Sequence, residues 1–464
     1  METGSFDVVV IGAGVVGAAI ARALSARYGS VALIDAAADV CAGTSKANTA
    51  ILHTGYDAKP GTLEAKLVRR GFDLTLHYCA DTGISVDTTG AILVAWDQEQ
   101  ASSLPSLLAK AEENGYDRAY LMSPEEVYEE LPHLGTGAAG GLAVPDESII
   151  DPWSVALGFA SDAVNRGCEL VLECRVIGVD IGEDRTVLQT TSGEIKTDWV
   201  VNAAGLGADH IDHMFGFERL EVTPRRGELL VYDKLAAPMV PKIVLAAPSK
   251  VGKGVLISPT IFGNVMLGPT ADDLEDRTDT ATSEEGFDFL LAKGEKIMPA
   301  LLDQEVTSAY AGLRAANNQS DYLIEVDVER RYVIAAAIRS TGLTSAIAVA
   351  EYIEGLLQDK GVLPPERPSI PPPVKLPSLG ETSRRPYQDA ELVKTNGDYG
   401  EIVCFCERVT LGELRDMMTS PIPPPILEGV RRRTRAMNGR CQGFFCGSRV
   451  RQIFEDRGTE HHRG

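Results

Sequence analysis

Positive charge is scarce in this sequence. Its 464 residues carry 44 lysines and arginines against 66 aspartates and glutamates, a net charge of −22. A dedicated nucleic-acid binder presents a broad basic surface, so that class is excluded as the main activity. A small anionic ligand is not excluded, because a few cations can gather in one pocket of an acidic shell. Long apolar runs are missing too, and no stretch reaches the roughly 20 residues needed to span a bilayer. Glu2 and Asp7 stand where a signal peptide would carry basic residues, and the Gly-rich apolar stretch after Asp7 stops at Arg22. The expectation is a reducing cytoplasm, with peripheral association at the inner face of the membrane as the variant. No internal repeat is visible. What remains is 44% apolar and 24% charged, ordinary for a folded chain, with length for about three units.

The eight cysteines divide by position. Cys41, Cys79, Cys168 and Cys174 are scattered and read as small apolar side chains. Cys404, Cys406, Cys441 and Cys446 are clustered, as C-x-C and C-x4-C, and in a reducing compartment such clusters mean metal or redox chemistry. Four thiolates can close a [2Fe–2S] cluster. Zinc is the alternative, although its sites usually open with C-x2–4-C. Arg431, Arg432, Arg433, Arg435 and Arg440 form a basic run near the last pair. It reads as local counter-charge to the cluster or as a contact for an acidic electron-transfer partner.

The chain opens as a nucleotide-binding βαβ unit. Phe6 to Ile11 is a near-continuous apolar run, as in a parallel strand buried on both faces. Gly12, Gly14 and Gly17 follow at GxGxxG spacing, then a helix with Val16, Ile20, Ala23 and Leu24 on one face. The next strand ends at Asp35. The first glycine permits the tight turn, the second close approach of a pyrophosphate, and the third close packing of helix on strand. The phosphates then meet the unpaired N–H groups of the helix start, and Asp35 is placed to hold a ribose hydroxyl.

Residues 197–207 and 330–358 look like returns to the same sheet, the second with a helix presenting Ile347, Ala350, Ile353 and Leu357 and with Thr344 as its N-cap. The fold class expected is therefore α/β: a Rossmann-like dinucleotide-binding domain (the FAD-binding domain, once the resemblance below is taken into account) interleaved with a mixed α+β substrate domain, plus a small C-terminal helical [2Fe–2S] domain. The dinucleotide-binding domain takes 1–80, 151–215 and 311–360, and the substrate domain 81–150 and 216–310. Prolines make 361–399 an extended, semi-rigid linker, and 400–464 forms the cysteine module.

The glycine motif, the segment 43–67, DPW at 151–153, VVNAAG, PRRGEL at 224–229, LGPTAD and AIRSTGLTSA together resemble the D-amino-acid-oxidase-type FAD oxidoreductases. Within them the likeness is to anaerobic-type glycerol-3-phosphate dehydrogenases and L-2-hydroxyglutarate oxidases. The tail resembles the bacterioferritin-associated-ferredoxin-like [2Fe–2S] domain. The resemblance implies FAD as the dinucleotide. It implies that Gly12, Gly14, Val15, Val16 and Gly17 line the cofactor's phosphates, that Thr44, Ser45 and Lys46 line its diphosphate and ribityl chain, and that Val176, Ala204, Gly205 and Leu206 lie against the adenosine half. Gly342, Leu343 and Thr344 then stand where a helix start can stabilise charge on the flavin's pyrimidine end.

Dehydrogenation of a CH–OH needs a proton acceptor, a hydride path and cations for the substrate's anionic end. His53 runs past the flavin in the resembling family and suits the base, with a structural role and a covalent flavin link as alternatives. Arg314 and Arg339 sit in short apolar segments and are the candidates for the anion, and Tyr56 could add a hydroxyl. The reading is an FAD-dependent dehydrogenase oxidising a small anionic hydroxy substrate, first sn-glycerol 3-phosphate to dihydroxyacetone phosphate. Electrons then pass through the cluster to an electron-acceptor subunit or quinone-linked carrier. L-2-hydroxyglutarate or another polyol phosphate, an amine or amino acid, and a non-catalytic electron-transfer subunit are the alternatives.

Overall fold

The computed structural model describes residues 4–248 and 254–460, and side chains as far as 456, so Glu2 lies outside it. An eight-stranded sheet forms the first layer. Its parallel centre runs Glu169–Val171, Val31–Ile34, Gly4–Ile11, Gly193–Asn202 and Tyr332–Ala336. Alternation along the first strand explains its apolar run. Val8 and Val10 enter the core beneath the helices Val15–Leu24, Leu63–Thr82, Pro152–Asn165 and Gly342–Asp359, while Val9 and Ile11 enter the core on the opposite face. Ile20 and Leu24, then Ala350, Ile353 and Leu357, are buried on the helix faces that periodicity predicts. One cap differs. Thr341, not Thr344, is the N-cap, and the Thr344 hydroxyl in the first turn instead accepts the His53 backbone N–H at 3.0 Å.

A nine-stranded mixed sheet forms the second body, in the order Asp272–Asp273, Val222–Tyr232, Val265–Gly268, Leu256–Pro259, Ile243–Ala246, Ala91–Ala95, Gly140–Val144, Tyr120–Met122. Val306–Asn317 pairs along the whole of Val222–Tyr232, so it belongs to this sheet. A division at 310/311 would cut it; local sequence does not reveal that partner. A small three-stranded sheet of Ile51–Leu52, Ser148–Ile150 and Val86–Asp87 brings the two bodies' connecting segments together.

The proline-rich stretch after the last long helix is extended, as expected, but it is no free tether. Arg367 N–H reaches Ala26 O, Val374 N–H reaches Asp162, Leu376 N–H reaches Thr82 O and Gly380 N–H reaches Ser85, all within 3.0 Å. Leu379 is buried in the second body's core. The cysteine module has its own core around Val409, Leu414, Val430 and Val450. It is clamped to the rest of the chain by the basic run. Arg433 and Arg432 meet Asp39, and Arg440 meets Asp233 at 2.7 Å. Arg435 meets Glu407 within the module at 3.3 Å and lies over the Phe262 ring of the second body. Arg432, Arg433 and Arg440 thus fasten the module to the rest of the chain, Arg431 pairs with Glu428 inside it, and Arg440, half exposed, also lies within electrostatic reach of Cys406.

Candidate active site and cluster site

The glycine turn is built as its spacing implies. Gly12 has φ 107°, a conformation open to glycine, and a Cβ there would lie 2.4 Å from Ala203 O. A Cβ on Gly17 would lie 1.8 Å from Gly12 O, so the helix can seat against the turn only without one. The N-cap is Gly14, without a side-chain cap, and the first turn of Val15–Leu24 has no acidic residue. Its N–H groups therefore keep their partial positive charge for an anion, apart from Val15 N–H, which Ser45 Oγ accepts at 3.0 Å. Asp35 accepts from Ala13 N–H at 2.6 Å and Ala37 N–H at 2.8 Å. Burial is the larger influence and pushes its carboxyl up, against those two bonds and Arg175.

The other expected cofactor residues gather here. Gly342 faces Val15 and Val16, Ala204 neighbours Gly12, and Gly205 turns at φ 56° just beyond. Val176 shares the core behind Asp35 with Ile34, Ala204 and Leu206. Thr44 donates its hydroxyl to Leu313 O at 2.7 Å, and a Cβ on Gly312 would lie 2.3 Å from Ala47 O. Lys46 keeps its side chain exposed while its carbonyl accepts Trp153 Nε1–H at 3.0 Å. Leu343 and Thr344 are buried in the first turn of their helix. This cleft of glycines, small residues and open N–H groups fits a dinucleotide.

Val306–Asn317, lying on the 44–48 segment, carries Arg314 to the same region. Arg314 is mostly buried and donates to Thr270 O at 3.1 Å. Among the described residues no carboxylate pairs with it. Burial, with Arg225 directly across the strands, pulls its guanidinium below the ordinary value. Arg225 itself is neutralised by Asp273 at 2.6 Å. Arg339 differs from Arg314, because Glu64 answers its charge at 3.0 Å. Of the two arginines expected to meet an anion, Arg314 is the one without a carboxylate partner among the described residues, a distinction that two similar short apolar contexts could not reveal.

His53 Nδ1 lies 2.9 Å from Glu147 Oε2. Glu147 is fully buried, and its other oxygen accepts Thr54 N–H at 2.6 Å and Thr54 Oγ–H at 3.0 Å. Tyr56 is buried within the apolar cluster of Ile51, Leu93 and Ile149. Burial, then Asp57 and Glu147, push its phenol well above the ordinary value, so it serves as a neutral group. Glu147 is not legible as a site residue in the sequence: an acid in a strand-connecting turn carries no local signal of its partner.

The four late cysteines fall into two thiol pairs, Cys406 with Cys441 and Cys404 with Cys446. Among the described residues no three His, Cys, Asp or Glu side chains converge as one ion would need. Four neighbouring thiols of this kind would supply the four ligands of a [2Fe–2S] cluster. Burial opposes ionisation of Cys441, but N–H groups of Phe445, Gly443 and Phe444, with the Cys406 thiol, hold it below the ordinary value. Gln442 and Gly443 have positive φ, which lets the loop turn those N–H groups inward. A Cβ on Gly439 would lie 2.3 Å from Cys406 Cβ. At the rim, Phe405, Phe444 and Phe445 are 73%, 84% and 73% exposed. The four early cysteines are buried, and burial raises the thiols of Cys41, Cys79 and Cys168 to about 12, as inert apolar groups require.

Comparison with known proteins agrees with this geometry. Residues 7–356 match the FAD dependent oxidoreductase family, and residues 402–456 match the BFD-like [2Fe-2S] binding domain. A glycerol 3-phosphate dehydrogenase of Caloramator mitchellensis is 36% identical over 97% of this chain and 93% of its own length. Human mitochondrial L-2-hydroxyglutarate dehydrogenase is 30% identical, over 58% of this chain and 62% of its own. Among solved structures, the dithionite-reduced, FAD-bound L-alpha-glycerophosphate oxidase of Mycoplasma pneumoniae superposes with a TM-score of 0.75. It is 26% identical, over 81% of this chain and 100% of that one. Among the described residues no helix is long and apolar enough to cross a membrane.

Proposed function

Because the chain belongs to the FAD dependent oxidoreductase family, we propose that it dehydrogenates sn-glycerol 3-phosphate to dihydroxyacetone phosphate. Its cofactors are FAD and a [2Fe–2S] cluster. FAD, when bound, supplies the acceptor for a hydride. The observation that carries the substrate reading is Arg314, a mostly buried guanidinium without a carboxylate partner among the described residues, on the strand against the 44–48 segment. A planar charged fork held this way is matched to a phosphate or carboxylate. His53 takes the hydroxyl proton, Arg314 holds the anionic end, and Gly12, Gly14, Gly17 and Asp35 hold the dinucleotide. The 36% identity to a glycerol 3-phosphate dehydrogenase over nearly the whole chain favours phosphate over carboxylate.

The electrons pass to an acceptor. We infer a protein acceptor, a partner subunit or quinone-linked carrier, because the exposed Phe405, Phe444 and Phe445 form an apolar rim at the cluster. The deciding experiment is anaerobic. The purified holoenzyme is mixed with sn-glycerol 3-phosphate or L-2-hydroxyglutarate and the flavin absorbance followed. Fast bleaching by the phosphate ester is expected; bleaching by the hydroxy acid alone would overturn the substrate assignment.

A further inference from the structure

We propose that Glu147 is the positioning residue of the proton-accepting histidine, holding His53 in the tautomer whose Nε2 carries the lone pair and acts as base. The inference rests on the reading of His53 given above, and the geometry reaches it by a separate route. In the small three-stranded sheet Ile51 pairs Ile149 and Leu52 pairs Ser148, antiparallel. The next step of that register sets His53 opposite Glu147. The backbone of His53 is anchored independently, by its N–H on Thr344 Oγ1 at 3.0 Å. Both the main chain and the ring of His53 are therefore held.

The division of labour within Glu147 argues against a purely structural acid. Oε1 serves Thr54 twice, through its N–H and its hydroxyl. Oε2 faces the imidazole at 2.9 Å. A carboxylate only accepts, so Nδ1 must donate, and the lone pair of the neutral ring resides on Nε2. Nε2 would take the proton of the substrate hydroxyl while FAD, when bound, would accept the C–H hydrogen with its electron pair, leaving the carbinol carbon a ketone. The imidazolium so formed is stabilised by the carboxylate behind it. On the segment following His53, Tyr56 is a buried neutral phenol within electrostatic reach of both Glu147 and Asp57. From the helix side Thr344 is uncharged. Asp146, next to Glu147, is turned to Arg118 and Tyr116.

The test uses the FAD-loaded full chain. In E147Q the rate of anaerobic flavin bleaching by sn-glycerol 3-phosphate should fall roughly 10- to 100-fold, as for loss of an orienting partner, with KM little changed. Loss of the counter-charge makes the imidazolium harder to form, so the rising limb of the pH–rate profile should move to lower pH. E147D, which keeps the charge, should hold the limb in place and recover part of the rate. It also carries the test should E147Q lose FAD. Independently of turnover, 15N spectra of histidine-labelled protein, with His53 assigned from H53Q, should report Nδ1–H in the native chain and a mixed tautomer in E147Q. An unmoved pH limb together with an unchanged His53 tautomer overturns the proposal. If H53Q bleaches as fast as the native enzyme, the base assignment fails, while the tautomer measurement still decides the Glu147 contact.

Discussion

Arg433 grips Asp39 with both terminal nitrogens, each 2.8 Å from a carboxylate oxygen, across 394 positions of chain. Neither side chain retains meaningful exposure, and Arg432 adds a second cation to the same acid. Asp39 lies four residues beyond Asp35, on the loop whose Cys41 N–H reaches back to Ala13 O in the glycine turn. The cluster module is thus fastened to the dinucleotide-binding loop itself, and the cluster's place relative to that loop is set by buried ion pairs.

Removing one partner of such a pair leaves a buried charge poorly answered. Arg433→Ala should destabilise the docked module by on the order of 3 kcal/mol, lowering the first transition in a thermal scan. The triple variant R432M/R433M/D39N, which removes all three charges, should recover part of that loss. A thermal profile for Arg433→Ala identical to the native one would contradict this account.

Acid should loosen the same junction. Burial alone would raise Asp233, but its bonds to Arg440 prevail and hold it below the usual carboxylate range. Glu381 is lowered likewise, against burial, by Lys234 and Arg408. Carboxyls depressed in the folded state stabilise fully above their unfolded value, near pH 4, and that stabilisation is lost as pH falls through the lower folded value. Stability between pH 7 and 3 should therefore decline less steeply in D233N than in the native chain, from a lower start. Equal slopes in urea titrations at a series of pH values would rule out the assignment.

Arg314→Met should lower kcat/KM for sn-glycerol 3-phosphate by about 30- to 150-fold, the equivalent of about 2–3 kcal/mol for charged hydrogen bonds to the anionic end. FAD content should be unaffected, and Arg314→Lys should retain an intermediate activity. Arg339→Met, whose charge Glu64 already answers, should change KM far less. Steady-state kinetics on the two variants separates the roles.

Cys441→Ser and Cys404→Ser each remove one of the four thiolates that would ligate the cluster, one from each thiol pair. Both should lose the [2Fe–2S] signal in electron paramagnetic resonance of the reduced protein while substrate still bleaches the flavin. Elemental analysis of the native protein should find about two irons per chain and no stoichiometric zinc. Zinc in place of iron would overturn the cluster reading.

Much of the dinucleotide site is legible in the local sequence. Gly12, Gly14, Gly17 and Asp35 are separated by one turn, one helix and one strand, so their joint geometry follows from local backbone preferences. The same holds for Cys404 with Cys406, and for the buried faces of the helices Val15–Leu24 and Gly342–Asp359. Partners distant in sequence are not legible in this way. The contexts of Arg314 and Arg339 are alike, and the difference is that Glu64, on another helix, reaches only the second.

By itself, then, the sequence determined the dinucleotide turn, the clustering of the four late cysteines and the α/β class, because each is encoded within a few tens of residues by conformational limits and periodicity. The tertiary structure alone decided that Glu147 faces His53, that Arg314 has no carboxylate partner among the described residues, and that Arg432, Arg433 and Arg440 clamp one domain to another. Each of those depends on strand register or on charges meeting across hundreds of residues, and a charged side chain carries no mark of which opposite charge the fold will bring to it.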